Sequence, residues 1–212
     1  MKNILIVEDY QIIRLATKIL VQDLYKTAVV REATTFDEAL SELAVHPQDL
    51  VILDVQIPEG QGFEMIGAMR AVQKHVNILI FSAIEERIYG IHYLRAGANG
   101  FVSKNSETAD IRTAILSIAD TGRYVSPRIK VELLNQLDKQ NYRADNPLLD
   151  LSAREITIMD MLIDGFWIKE IASKLNLTES SVSTYKARLF EKLHVTTLIE
   201  MFQKVSHYKD MD

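Results

Sequence analysis

The chain has 212 residues, 48% of them apolar, and 29 acidic side chains against 24 basic ones give a net charge of −5. That is enough apolar material for one large or two small buried cores, and the charge balance supplies no general attraction to nucleic acid. With no cysteine there is no disulfide framework, thiolate chemistry or cysteine-based zinc site; with only a short apolar run (residues 4–7) before two acids, neither a signal-peptide core nor a membrane span is expected, and the expected location is the cytoplasm.

Strand-like and helix-like segments alternate over the first 120 residues. The strands are expected at residues 4–7, 28–32, 50–53, 78–81 and 100–102, and three of them are unbroken apolar runs, ILIV, LVIL and ILIF. Strands covered on both faces read this way because neither side meets water. The intervening stretches carry apolar residues at helical spacing, for example Leu15, Ile19, Leu20 and Leu24, or Ile111, Ile115 and Ile118. This pattern predicts a parallel α/β sheet with right-handed crossovers. Pro127 then opens a predicted helix over residues 128–137, and the polar run of residues 138–146 reads as a linker. Everything beyond Pro147 reads as helix. Ser152 and Glu155 have the spacing of a capping box, Gly165 ends the first helix, and Thr178 opens a longer one running to Leu193.

Chemistry-bearing residues gather where strands end. Glu8 and Asp9 follow the first strand, Asp54 ends the third, Ser82 ends the fourth and Lys104 follows the fifth. Open parallel sheets bind ligands at the carboxyl ends of their strands. Carboxylates there suit a hard divalent cation such as Mg2+, which keeps several waters and leaves room for a phosphoryl group. A carboxylate acceptor, a metal, a hydroxyl and a lysine are what phosphoryl transfer to an aspartate requires. Any one of these residues alone would be a helix cap or a surface charge.

The set Glu8–Asp9, Asp54 with Pro58 and Gly62 behind it, Ser82–Ala83 and Lys104 resembles the receiver domains of two-component response regulators. The resemblance covers residues 1 to about 120. It implies a flavodoxin-like five-stranded parallel fold and a phosphoryl group accepted on Asp54 from a histidine kinase. It further implies Mg2+ on Asp9, Asp54 and the Gln56 backbone carbonyl, with Glu8 acting through water. Lys104 would hold the phosphoryl oxygens and Ser82 would close on the phosphate. Phe101 stands where the family has an aromatic that swings inward, although a plain core aromatic fits as well. Asp54 would be consumed as a substrate, so the chain is not expected to be an enzyme.

The C-terminal segment has two short helical patterns and a longer one, the plan of a helix-turn-helix. Its Leu151-Ser152-x-Arg154-Glu155, Gly165, Glu170-Ile171-Ala172, Leu175, Val182 and Lys192-Leu193 resemble the LuxR-type domain of NarL/FixJ-family regulators. Ser183 and Tyr185 depart from the Lys and His usual there. Thr178, Ser183, Thr184, Lys186, Arg188 and Lys192 are the expected DNA contacts, and Trp167 is read as a packing anchor. Leu198, Ile199, Phe202 and Val205 make a fourth helix, suited to dimerisation or to core packing. The expected organisation is a receiver over 1–120, a linker with a helix over 121–147 and an all-α DNA-binding domain over 148–212, forming a homodimer on activation. Residues 148–212 carry eight basic and ten acidic side chains, which leaves open a helical domain that acts through a protein partner.

Overall fold

The computed structural model describes residues 1–60, 62–137 and 146–209. It divides into two compact units, Met1–Leu133 and Leu134–Asp212. Most of the stretch expected as linker, residues 138–145, lies outside the described residues.

The first unit alternates strand and helix: β1 (Asn3–Val7), α1 (Gln11–Leu24), β2 (Val29–Ala33), α2 (Phe36–Val45), β3 (Leu50–Leu53), α3 (Glu64–Val72), β4 (Asn77–Ser82), α4 (Glu86–Arg95), β5 (Gly100–Ser103) and α5 (Thr108–Thr121). The strands form one parallel sheet in the order β2-β1-β3-β4-β5. This is the flavodoxin-like arrangement. The three unbroken apolar runs are the central strands, and Ile4, Leu5, Leu50, Leu53, Ile78 and Ile80 have no exposed surface. Edge strand β2 reads VVREA and is only partly covered, as one-sided burial requires. The chain order reverses between β1 and β3, so their carboxyl ends flank an open crevice.

Two packing expectations need correction. Helix α1 buries Thr17 and Val21, with Ile13, Leu20 and Leu24 packed beside the core. These positions recur every three or four residues and share one face. Leu15 and Ile19 lie outward, 54% and 59% exposed, because α1 is apolar around more of its circumference than the sheet can cover. Trp167 is the second correction: at 78% exposure it anchors no core.

The first unit continues past residue 120. The Tyr124 N–H donates to the Asn99 carbonyl, and helix α6 (Pro127–Leu137) begins inside the unit. Proline suits its first position, where the missing N–H has no helical partner in any case. The Ser126 hydroxyl caps the helix by accepting from the Ile129 N–H. Ile129 is buried against Gly90 of α4, where an added Cβ would lie 2.6 Å from Ile129 Cδ1. A glycine inside a helix costs about 1 kcal/mol relative to alanine, so α4 gives up helix stability to seat this side chain.

In the second unit a 3-10 turn (Pro147–Asp150) leads to α7 (Ala153–Ile163), α8 (Ile168–Lys174), α9 (Glu179–Leu193) and α10 (Leu198–Lys209). The capping box forms: Ser152 Oγ accepts from the Glu155 N–H, and Glu155 Oε2 accepts from the Ser152 N–H. At the other end of α7 the Phe166 and Gly165 N–H groups turn back to the Met161 and Leu162 carbonyls with Gly165 at φ 87°, a Schellman closure. The turn between α8 and α9 uses Asn176 at φ 51°, the non-glycine residue best suited to that conformation. Ile158, Ile171, Ala172, Leu175 and Val182 form the core beneath.

Candidate functional site

Sheet register builds the acidic crevice. β1 and β3 pair Val7 with Leu53, so Glu8, Asp9 and Asp54 leave the sheet side by side. The Asp54 N–H donates to the Val7 carbonyl and the Glu8 N–H to that of Ala33. On the far side of β3, pairing of β4 with β5 ends at Ser82 and Ser103, and the Lys104 N–H donates to the Ser82 carbonyl. That last bond carries Lys104 back over Asp54. Five residues spread over almost a hundred positions are thereby brought together.

Asp54 is 4% exposed and fully engaged. Its Oδ1 accepts from the Ser82 hydroxyl at 2.7 Å and from the Gln56 N–H at 3.1 Å. Its Oδ2 lies 2.6 Å from Lys104 Nζ, which lies the same 2.6 Å from Glu8 Oε2. Burial raises the Glu8 carboxyl above its usual range, and the neighbouring Lys104 only partly offsets this. Burial opposes the charge on Lys104, but the hydrogen bonds it donates to Asp54 and Glu8 outweigh this and raise the ammonium's pKa. The lysine is therefore a fixed positive charge beside the Asp54 carboxylate.

Carboxylate oxygens of Glu8, Asp9 and Asp54 lie within 4.8 Å of one another. Asp9 Oδ1 is buried and, among the described residues, accepts no hydrogen bond. A buried anionic oxygen without a donor is costly, and an oxygen-only, carboxylate-rich set matches a hard divalent cation. These residues fit Mg2+. Gln56 contributes its amide to Asp54.

Arg14 was not singled out by the sequence. Its guanidinium donates to the backbone carbonyls of Glu8 and Asp9 at 2.7 and 3.2 Å and pairs with Glu32 at 3.1 Å, bracing the acidic loop. Its position one turn into α1, six residues after Glu8, was the available signal. Phe101 has no exposed surface. Its ring lies 6.2 Å from that of Tyr93, which in turn lies 4.4 Å from Phe63.

The residues expected at DNA divide into groups. Ser183, Thr184 and Arg188 are exposed on α9. Lys186 is half-buried, its ammonium 5.2 Å above the Phe190 ring. Thr178 caps α9 by accepting from the Ser181 N–H at 3.1 Å. Lys192 is committed inward: its Nζ lies 2.7 Å from Glu155 Oε2 and 3.0 Å from the Asp150 carbonyl. The ion pair pins the end of α9 to the start of α7, so this lysine is a tie within the bundle. On α10, Met201 and Val205 are buried, while Leu198, Ile199 and Phe202 are 42%, 71% and 53% exposed.

Residues 4–116 match the response regulator receiver domain, and residues 149–205 match the bacterial regulatory proteins of the luxR family. The fimbriae Z protein of Salmonella typhimurium is 31% identical over 199 residues, covering 94% of this chain and 93% of that protein. Response regulator UvrY of Escherichia coli is 28% identical, over 95% and 92% respectively. The fold is also that of RcsB from Salmonella enterica serovar Typhimurium, solved bound to promoter rprA with the phosphomimetic BeF3−. That likeness has a TM-score of 0.79 at 20% identity, over 97% of this chain and 98% of that one.

Proposed function

Because the chain belongs to the response regulators that join a receiver domain to a LuxR-type DNA-binding domain, we propose that Asp54 takes a phosphoryl group from a histidine kinase and that this state governs binding of a two-fold-symmetric DNA site. A protein of this family is a transcription factor and not an enzyme. The observation that carries the receiver reading is the convergence of Lys104, Ser82, Glu8 and Asp9 on one buried carboxylate.

In the transfer, an Asp54 carboxylate oxygen forms a bond to phosphorus as the bond from phosphorus to the donor imidazole nitrogen breaks. The imidazole keeps the electron pair and, carrying a proton on its other ring nitrogen during the transfer, leaves as the neutral ring. Lys104 offsets charge on the phosphoryl oxygens, and the Ser82 hydroxyl turns from Asp54 to donate to one of them. Asp9, Asp54 and the Gln56 carbonyl would hold Mg2+, with Glu8 acting through water. Bound there, the ion supplies further neutralisation of phosphoryl charge. Arg14 keeps the Glu8–Asp9 backbone in place.

For the output, Ser183, Thr184, Lys186 and Arg188 of α9 meet DNA, and Thr178 supports the helix start as its cap. Lys192 stays in the bundle. The exposed Leu198, Ile199 and Phe202 support pairing of two copies through α10, and a two-fold dimer reads a two-fold site. RcsB, with the same fold, is seen on promoter DNA. Among the described residues no helix is long and apolar enough to cross a membrane, in keeping with a cytoplasmic regulator.

The test is selection of DNA sites by the full-length protein from random duplexes, with Mg2+ and with or without a small phosphodonor. The expected result is a two-fold-symmetric site whose binding strengthens with phosphodonor and loses that response in Asp54→Asn. Phosphoryl label retained by Asp54→Asn would overturn the acceptor assignment. No selected site in either state, with Asp54 phosphorylated, would favour a protein partner as the output.

A further inference from the structure

Helix α9 carries an outward strip of small, uncharged side chains. Val182, Leu189 and Leu193 are buried on its inner side, and Tyr185 packs against the same core as Val182. Opposite them, Ser180, Ser183, Thr184 and Ala187 are exposed, at the three- and four-residue spacing of one helix face. This strip has little to donate. The Thr184 hydroxyl donates to the Ser180 carbonyl at 2.9 Å, so it has no proton left to give a base, and its methyl group remains for contact. The Ser180 hydroxyl lies 2.9 Å from that of Thr178, within the cap of the helix. Ala187 carries only a methyl group, and Ser183 adds a single hydroxyl. Cations stand to either side. Lys186 and Arg188 are the sequence neighbours of Ala187, and each projects about 100° round the helix from it, on opposite flanks. Lys186 Nζ lies 5.2 Å from the Phe190 ring centre, drawn off the strip, and Arg188 is exposed. Glu191 lies one turn nearer the C-terminal end, whereas a recognition helix reaches base edges with its N-terminal residues.

A neutral strip between two cationic flanks is complementary to the major groove, whose floor carries base edges and whose walls carry phosphates. Guanine is read there by a bidentate Arg or Lys and adenine by a bidentate Asn or Gln; the strip holds none of these. The base feature that suits it is the C5-methyl group of thymine, which alanine and the threonine methyl meet by apolar contact. Small side chains also let the helix backbone approach the groove floor closely. On the DNA reading given above, we propose that α9 reads its half-site through thymine methyl groups, met by the methyls of Ala187 and Thr184, while Lys186 and Arg188 hold phosphates on either side. The half-site is therefore specified by A·T pairs under these two residues, since a G·C pair offers no methyl group to either.

The test uses the full chain with Mg2+, with and without a small phosphodonor. A site is selected from random duplexes, and its affinity is measured again with each thymine replaced in turn by deoxyuridine, which keeps every hydrogen-bonding group and lacks the C5-methyl. Within each half-site, replacement under Ala187 and under Thr184 is expected to weaken binding by about fourfold each, the worth of one buried methyl group; thymines outside the half-sites are the control. Ala187→Gly and Thr184→Ser should each erase the loss at one of these positions. Thr184→Ser keeps the hydroxyl and serves if Ala187→Gly fails to fold. A selected site indifferent to every replacement overturns thymine readout and leaves DNA binding standing. Deoxyuridine sensitivity that both variants retain overturns the assignment to Ala187 and Thr184. No selected site in either state overturns the DNA reading, and thymine readout with it.

Discussion

The Ser82 hydroxyl donates to Asp54 Oδ1 at 2.7 Å, and Ser82 has no exposed surface. On the proposed reading of Asp54 as the acceptor, this buried donor is already in place for a phosphoryl oxygen. Ser82→Ala is expected to slow phosphorylation of Asp54 by a small phosphodonor by roughly a hundredfold, the lower end of the loss typical of one preorganised donor. A time course of intact mass checks this, and a variant phosphorylated at the unmodified rate contradicts it.

Asp9 Oδ1 is buried and accepts no hydrogen bond among the described residues. Asp9→Asn replaces a charged oxygen by a neutral one in the acidic set. Calorimetric titration is expected to show Mg2+ affinity reduced by at least about tenfold, with thermal stability unchanged or raised in the absence of the ion, since one buried like charge is gone.

On the proposed DNA reading, Arg188 and Lys192 should separate DNA contact from bundle stability. Arg188 is exposed, so Arg188→Ala should weaken DNA binding and reduce the salt slope by about one with the melting temperature kept. Lys192→Ala instead removes the partner of buried Glu155. The lysine side chain is 38% exposed, so solvent screens the pair, and the expected cost is about 1–2 kcal/mol, read from exchange of α7 and α9 amides.

The same pair sets an acid limit for the helical bundle. Burial pushes the Glu155 carboxyl up, but Lys192 and the Ser152 N–H and hydroxyl outweigh it and hold it below its ordinary value of 4.5. The stability this contributes is complete above that ordinary value and is lost as pH falls through the lowered one. In Lys192→Ala, loosening of α7 and α9 should therefore begin at a higher pH than in the unmodified protein. Coincident acid profiles of the two proteins would contradict this.

Asn99 ties the amino-terminal ends of β4 and β5 together. Its Oδ1 accepts from the Ile78 N–H and Arg70, and its Nδ2 donates to Asn77 and the Gly122 carbonyl. Asn99→Ala is expected to cost the first unit about 2–3 kcal/mol, as several part-buried groups lose partners at once. A urea midpoint checks this.

The acidic site was legible because each of its residues sits at a strand end, and parallel pairing fixes where strand ends meet. Unbroken apolar runs marked β1, β3 and β4, and the chemistry at their ends did the rest. Arg14 was not legible: a cation on an amphipathic helix looks like any solvated charge until the fold turns it toward two carbonyls. The pairing of Lys192 was not legible for the complementary reason. Its neighbours in sequence are polar and cationic, and only the packing of α7 against α9 shows which carboxylate takes its charge. Trp167 and the Leu15–Ile19 pair show that apolar character alone does not decide burial when a helix is apolar on more faces than its neighbours cover.

By itself, the sequence determined what local and periodic physics controls: strand and helix positions, the caps at Ser152 and Thr178, the Gly165 stop, and the gathering of Glu8, Asp9, Asp54, Ser82 and Lys104. Only the tertiary structure decided how donors and charges are shared out. It placed Lys104 between two carboxylates, gave Lys192 to Glu155 and seated Ile129 on Gly90. Those choices depend on distances between elements remote in the chain, and no period or motif encodes them.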